Sequence, residues 1–314
     1  MNKCLYCYKP LSPGQHDFHP ECATKMFGSP HVPEMPYSRS EMDSLAAQII
    51  RTQTTLTGVQ PKLSLNLNAH EGSNRLTIVG LWGEYIFKPQ TEDFQQLPEV
   101  EDVTMHLAGL AGIRTVAHSL IRLADGSLGY ITRRIDRTSS GDKIAMEDFC
   151  QLTERPTEYK YRSSYEKIGK TIRQYSALSQ LDCVNFMLLL IFCFLTGNND
   201  MHLKNFSLYS PDGRNAVLAP AYDLVNVSII NPADKEELAL TLSGKKSNLS
   251  WHDFLSAASL IGIPEKTLQK TLSRWQKGLP KWKACIADSF LSEEMKARYC
   301  DLLDERFARL TKDQ

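Results

Sequence analysis

Ten consecutive apolar residues, Phe186 to Leu195, run directly into Thr-Gly-Asn-Asn-Asp-Met-His-Leu-Lys-Asn at 196–205. A helix that is apolar on every side has to be buried on every side. The chain must therefore build a core wide enough to surround it. The run is well short of the ~18 residues that spanning a bilayer takes, so a buried helix is expected. With 314 residues, 42% hydrophobic and 23% charged, the chain has enough material for such a core and for two lobes. Lys+Arg and Asp+Glu are both 36, giving zero formal charge and no global basic field directed at nucleic acid.

The polar decapeptide after the run carries the chemistry. A rigid buried element that ends in Asn, Asp, His and Lys holds those groups in fixed positions. Phosphoryl transfer needs a carboxylate to take the substrate hydroxyl proton and oxygen ligands for Mg²⁺. Asp200 suits the first task and Asn205, five residues on, the second. Lys204 suits charge neutralisation at the transferred group, and His202 suits loop ordering or phosphate contact. The plain alternative is an Asn/Asp-rich helix cap and turn. A second carboxylate, Asp223 in Pro-Ala-Tyr-Asp-Leu (220–224), follows a short hairpin with Asp212-Gly213 at its turn. The order loop, two strands, metal-binding Asp is that of protein kinases. Asp223 by itself would read as a turn residue.

Upstream, strands are expected at Leu63–Leu67, Leu76–Val79, Tyr85–Phe87, Val116–Leu123 and Tyr130–Ile135, the last two flanking an Asp-Gly turn at 125–126. A helix is expected over 99–111, with Gly112 closing it. Beyond about residue 140 the signal is helical, near 163–176, 180–196, 251–260, 265–278 and 293–310. This is an α+β pattern, divided into a Cys/His unit at 1–28, a strand-rich part at 29–140 that opens with a Pro-rich linker (29–37), and a helical part at 141–314. The cleft between the last two is the expected ligand site. Lys88, ending an apolar strand, could reach phosphates, with Glu101 on the next helix as its ion-pair partner; a solvated strand-end lysine is the bland reading. Thr54 to Lys62 precede the first strand with a single glycine, Gly58, so the segment is neither a Walker A loop nor G-x-G-x-x-G. Its donors would be backbone N–H groups and threonine hydroxyls.

TTLTGVQPKLSL, EYIFKPQ, LPEVEDVTM, RRIDR, EDFCQL, GNNDMHLKNFSL, PAYDL and EELALTLSGKK, in that order, resemble the HipA-type kinases, most of all the short HipT branch, over roughly residues 50–310. The catalytic segment is also similar to the D-x-H-x-x-N loop of phosphatidylinositol 3/4-kinases. The resemblance implies a bilobal protein-kinase-like fold and an ATP- and Mg²⁺-dependent serine/threonine kinase toxin. It implies Asp200 as base and Asn205 and Asp223 as metal ligands. Thr57, Gly58, Val59, Gln60 and Lys62 would form the phosphate loop, with Lys88 on the nucleotide. Arg133, Arg134 and Ile135 would form the adenine hinge, and His202 to Asn205 a second nucleotide contact. Thr55 and Thr57 stand where the family often has serines, so autophosphorylation there is implied. The implied partners are an aminoacyl-tRNA synthetase as substrate, a HipB-like helix-turn-helix antitoxin that contacts DNA, and a HipS-like small subunit in place of an N-terminal subdomain this chain is too short to carry. A lipid or small-molecule kinase and a non-catalytic pseudokinase remain the alternatives. No basic, apolar membrane-facing patch is apparent for a lipid substrate.

Cys4-x-x-Cys7 and His19-x-x-Cys22 have the paired spacing of a structural Cys₃His zinc site, with His16 as an alternative ligand and free thiols as the alternative reading. MNKCLYCYKP lacks an apolar secretory core, so a reducing cytoplasm is the expected location.

Overall fold

The computed structural model describes residues 2–52, 61–70, 73–80, 83–138 and 140–312. It forms two compact units. The first comprises residues 1–103, 116–137 and 288–291, and the second the remainder.

The first unit is built on a five-stranded antiparallel sheet. Its strands are β1 (Leu63–His70), β2 (Ser73–Val79), β3 (Tyr85–Lys88), β4 (His118–Arg122) and β5 (Leu128–Arg133), in the order β2-β1-β3-β5-β4. The register pairs Leu63 with Phe87 and Lys88 with Tyr130. Leu63, Leu65, Leu76, Tyr85, Phe87, Leu120 and Ile131 are buried in one core. Leu63 and Leu65 enter it from alternate positions of β1, as a period-two pattern requires. The N-terminal Cys/His segment joins this core through Cys4, Leu5, Phe18, Cys22, Ala23, Met26 and Phe27. It contains one helix, α1 (Pro20–Phe27), with Pro20 in its first turn and Gly28 ending it in the left-handed region. A second helix, α2 (Arg39–Thr52), follows. The Pro-rich segment before α2 is not the solvent linker the sequence suggested. Glu34 bonds both ways to the edge of β2 (Glu34 N–H to the Asn74 carbonyl, 2.8 Å; Leu76 N–H to the Glu34 carbonyl, 2.9 Å), and Met35 is buried. Prolines lack a ladder donor, so an edge position is the one they tolerate.

Helix α3 (Leu97–Leu110) closes at Gly112, whose φ is +81°. In the second unit, α6 (Ser179–Leu195) carries the apolar run, and every residue from Phe186 to Leu195 except Leu188 is buried. The second unit also holds the short helices α4 (Phe149–Leu152) and α7 (Val227–Ile230), and α6 is surrounded by α5 (Tyr165–Tyr175), α8 (Trp251–Leu260), α9 (Glu265–Asp288) and α10 (Glu293–Thr311). Phe192 meets Trp282 edge-on at 5.6 Å, Trp282 meets Phe307 at 5.7 Å, and Phe194 meets Phe254 at 5.4 Å. Helix α9 runs past its expected end near 278 with Pro280 inside it. Buried Trp282 and Ile286 hold the continuation in place, so packing outweighs the local penalty of the proline. A small sheet, β6 (Met146–Asp148), β7 (Ser207–Tyr209) and β8 (Val217–Leu218), supports the segment after α6. The sequence predicts the β7–β8 hairpin; three-residue β6 is too short to leave a period.

Candidate functional site

The polar segment begins where α6 must stop. Gly197 has φ +68°, and a Cβ there would lie 2.6 Å from Asn226 Oδ1 and from Leu302 Cδ2. Only glycine suits both the backbone and the space. The Gly197 carbonyl accepts from the Ser228 N–H at 3.1 Å, and the Asn198 N–H bonds to the Cys193 carbonyl at 2.8 Å. Further on, the Tyr165 hydroxyl donates to the Met201 carbonyl at 3.0 Å, and Asn199 Nδ2 donates to the Glu236 carbonyl at 2.8 Å. The loop is therefore pinned at both ends by buried groups.

Asp200 is exposed. Its Oδ1 accepts from the Tyr161 hydroxyl at 2.6 Å, and its carbonyl accepts from the His202 N–H at 2.8 Å. Burial, and then the Asp200 and Asp223 carboxylates, raise the Tyr161 phenol well above its ordinary range, so this hydroxyl remains a donor. His202 is buried, meets the Tyr161 ring edge-on at 4.9 Å, and accepts from the Lys204 N–H through Nδ1. That bond caps the single helical turn Leu203–Asn205. The Lys204 ammonium is 2.7 Å from Asp148 Oδ2, while Asp148 Oδ1 caps the short helix Phe149–Leu152. Lys204 thus already has a carboxylate to neutralise. Asn205 Nδ2 lies 3.3 Å from Asp223 Oδ2, which brings together two oxygen-bearing side chains 18 residues apart. Asp223 sits at φ +62°, a conformation that Asp tolerates better than most residues. Half-buried Tyr222 beside it is pushed well up, first by desolvation of its phenol; its hydroxyl pairs with Ser207 and donates to the Lys204 carbonyl. Asn205 and Asp223 offer hard oxygen donors of the kind Mg²⁺ takes.

In the first unit, Lys88 is 2% exposed and its Nζ lies 2.5 Å from Glu101 Oε1, with Glu101 fully buried. The ammonium also sits 5.4 Å from the Tyr130 ring centre. The solvated-lysine reading is therefore wrong. Asp102, next to Glu101 on α3, accepts from Tyr8 Oη at 2.6 Å and pairs with His118 Nδ1 at 2.7 Å. At the expected hinge, the Arg133 N–H bonds to the Ala117 carbonyl and the Arg134 N–H to the Glu84 carbonyl. A base meeting this segment would have to use carbonyls or Ile135. The Arg134 guanidinium forks onto Asp136 at 2.8 and 2.7 Å. Burial pushes the Asp136 carboxyl up, but Arg134 and Arg137 outweigh it and hold it down. Lys62 is exposed just ahead of β1. Thr55, Thr57, Gly58, Val59 and Gln60 lie outside the described residues.

Sequence reasoning missed Tyr161, Asp148, Tyr8 and the Asp102–His118 pair. Each lies far along the chain from the group it touches, and no local pattern marks it.

The residues match known proteins over the same stretch. A family model for the HipA-like C-terminal domain matches residues 54–282. A putative kinase of Sinorhizobium fredii, Y4dM, is 32% identical over 241 residues, covering 71% of this chain and 58% of that protein. The serine/threonine-protein kinase toxin HipA of Shewanella oneidensis is 25% identical over 252 residues, covering 74% and 57%. The chain thus spans a little over half the length of these curated relatives. Among solved structures, the Shewanella oneidensis HipA of a complex with HipB and operator DNA superposes with a TM-score of 0.71 at 21% identity, covering 88% of this chain and 72% of that one. That likeness supports the α+β kinase-like fold. With the matched segment running from ahead of β1 through Asp200, Asn205 and Asp223, the chain belongs to the HipA-like C-terminal domain family.

Proposed function

We propose that this chain is an ATP-dependent serine/threonine protein kinase and the toxin of a toxin–antitoxin pair. The observation that carries the reading is the pinned loop after α6. It presents Asp200 on its outer side and brings Asn205 against Asp223 from 18 residues away. Asp200 would accept the proton of the attacking hydroxyl, and Tyr161 would hold its carboxylate in position. Asn205 and Asp223 would hold Mg²⁺, which when bound neutralises charge on the β- and γ-phosphates. Lys88, fixed by Glu101, would bind the α- and β-phosphates. His202 orders the loop. Lys204, held by Asp148, would reach a phosphoryl group only by leaving that ion pair. Thr55 and Thr57 are the proposed self-phosphorylation sites, where a phosphate would add about −1.5 to −2 charges and oppose ATP.

The relatives' names support a kinase, and the HipA–HipB–DNA complex supports a HipB-like antitoxin as partner. An aminoacyl-tRNA synthetase as substrate and a HipS-like small subunit complete the proposal. Among the described residues no helix is long and apolar enough to cross a membrane. The test is incubation with labelled ATP and host lysate, using the wild-type chain and Asp200→Asn. Loss of the base should cost roughly 10²- to 10⁴-fold in rate with an unchanged melting curve. A labelled protein band that vanishes in Asp200→Asn, with growth arrest relieved by the neighbouring reading frame, supports the reading. Labelled lipid, or equal labelling by both proteins, rejects it.

A further inference from the structure

We propose that Cys4, Cys7, His19 and Cys22 form a structural zinc site that locks the N-terminal segment onto the sheet and, through Tyr8, braces the helix carrying Glu101. The second half of this statement rests on the kinase reading; the first does not.

The donor atoms of all four residues lie within 4.8 Å of one another. His19 Nδ1 is 3.5 Å from Cys7 Sγ and 3.8 Å from Cys22 Sγ. A tetrahedral zinc with bonds of about 2.3 Å to sulfur and about 2.0 Å to nitrogen sets its ligands roughly 3.5 to 3.8 Å apart. A lone thiol–imidazole hydrogen bond would explain one of these contacts but not four donors converging. The imidazole is set for ligation. Its Nε2 lies 3.0 Å from the Pro10 carbonyl, which only accepts, so the proton sits on Nε2 and the Nδ1 lone pair faces the sulfurs. His16, the alternative ligand, is not part of this cluster.

Local structure explains the convergence. His19 is the N-cap of α1 and Cys22 its third residue, positions whose side chains meet over the helix end. Cys4 and Cys7 come from a tight turn in which the Cys4 N–H bonds to the Lys9 carbonyl and the Tyr8 N–H to the Cys4 carbonyl, both at 2.9 Å. Tyr8 completes the turn at φ +63°. Besides its packing on the sheet through Leu5, Phe18, Ala23, Met26 and Phe27, the segment has little regular structure of its own. It has an eight-residue helix and a single bridge, Lys3 to Pro10, and a helix that short is marginal alone. Binding would release the three thiol protons to solvent and leave Zn²⁺ with three thiolates and one neutral imidazole. Four protein ligands leave no open position, so the role is structural. Thiolate-rich donors favour zinc over the hard cations that suit Asn205 and Asp223.

The consequence reaches α3. Tyr8 directly follows a ligand, is buried, and donates to Asp102 at 2.6 Å. Asp102 neighbours Glu101, which holds Lys88. A turn fixed by metal thus fixes the position of α3 at the lysine's partner.

The full chain, made without a metal-affinity tag, is analysed for metal and for cysteine alkylation. About one zinc per chain is expected, with Cys7 protected from alkylation until a chelator is added. Chelation should lower the melting temperature by several degrees, with zinc restoring it and Mg²⁺ failing to. Cys7→Ser, at a half-buried ligand, should lose the zinc. Tyr8→Phe should keep it while weakening ATP binding several-fold. A metal-free chain whose Cys7 alkylates freely and whose melting ignores chelator overturns the site. Unchanged ATP affinity in Tyr8→Phe overturns the brace. A chain that carries zinc but binds no ATP overturns the kinase reading and leaves the metal site standing.

Discussion

Lys88 and Glu101 can be separated experimentally into a structural pair and a nucleotide ligand. The ammonium and carboxylate are 2.5 Å apart and 2% and 0% exposed, so neither has water to fall back on. Removing one partner of such a buried pair costs about 3 to 5 kcal/mol. For a chain of 314 residues that corresponds to a melting temperature lower by roughly 5 to 8 °C. Lys88→Met, which keeps an unbranched stem and removes the ammonium over the Tyr130 ring, and Glu101→Leu should each show this drop. The double variant removes both charges together and should regain most of it, since apolar replacement of a buried pair is often near neutral. ATP affinity should not follow stability. A charge-assisted hydrogen bond contributes about 1.5 to 3 kcal/mol, so both Lys88 variants should bind ATP roughly 10- to 150-fold more weakly, the re-stabilised double variant included. Melting by circular dichroism and ATP binding by calorimetry on the four proteins settle the matter. A double variant that melts like wild type and also binds ATP like wild type would refute Lys88 as the phosphate ligand. Single variants that melt with the wild type would refute the buried pair.

Asp223→Asn should raise the Mg²⁺ concentration needed for half-maximal transfer while leaving the melting curve in place; identical Mg²⁺ titrations would remove Asp223 from the metal site. Gly197→Ala should destabilise the fold by about 2 to 5 kcal/mol, from the left-handed backbone and from overpacking against Asn226 and Leu302; urea midpoints within error of each other would contradict this. Burial, reinforced by the charge of Asp102, pushes the Glu99 carboxyl up to about 7 from its ordinary 4.5. Between those values the folded chain keeps a proton that the unfolded chain loses, so stability falls as pH rises through the window. Glu99→Gln should remove that slope, worth about 1 to 2 kcal/mol once solvent screening is allowed for, and parallel melting-versus-pH curves for the two proteins would refute the assignment.

The elements legible in the sequence are those whose burial repeats locally. Alternation in Leu63–Leu67, the unbroken run Phe186–Leu195 and the faces of α5, α8 and α10 follow from a single chain segment meeting a single apolar surface. Residue type and order in the sequence also singled out Asp200, Asn205 and Asp223, and the fold brings two of them, Asn205 and Asp223, together. The Pro-rich stretch at 29–37 misled because edge pairing to β2 is decided by the strand it meets. Helix α9 misled because Trp282 and Ile286 outweigh Pro280 only after they are packed. The ion pairs and long-range side-chain hydrogen bonds were the least legible part. Glu101 was within reach of Lys88 by helix placement, but Tyr161 on Asp200, Asp148 on Lys204 and Tyr8 on Asp102 join residues 39, 56 and 94 positions apart. Sequence by itself determined which groups this protein has available and which helix must be buried. The tertiary structure decided which of those groups are already engaged, because the strength of a charge or hydrogen bond depends on the neighbours and the burial that folding imposes.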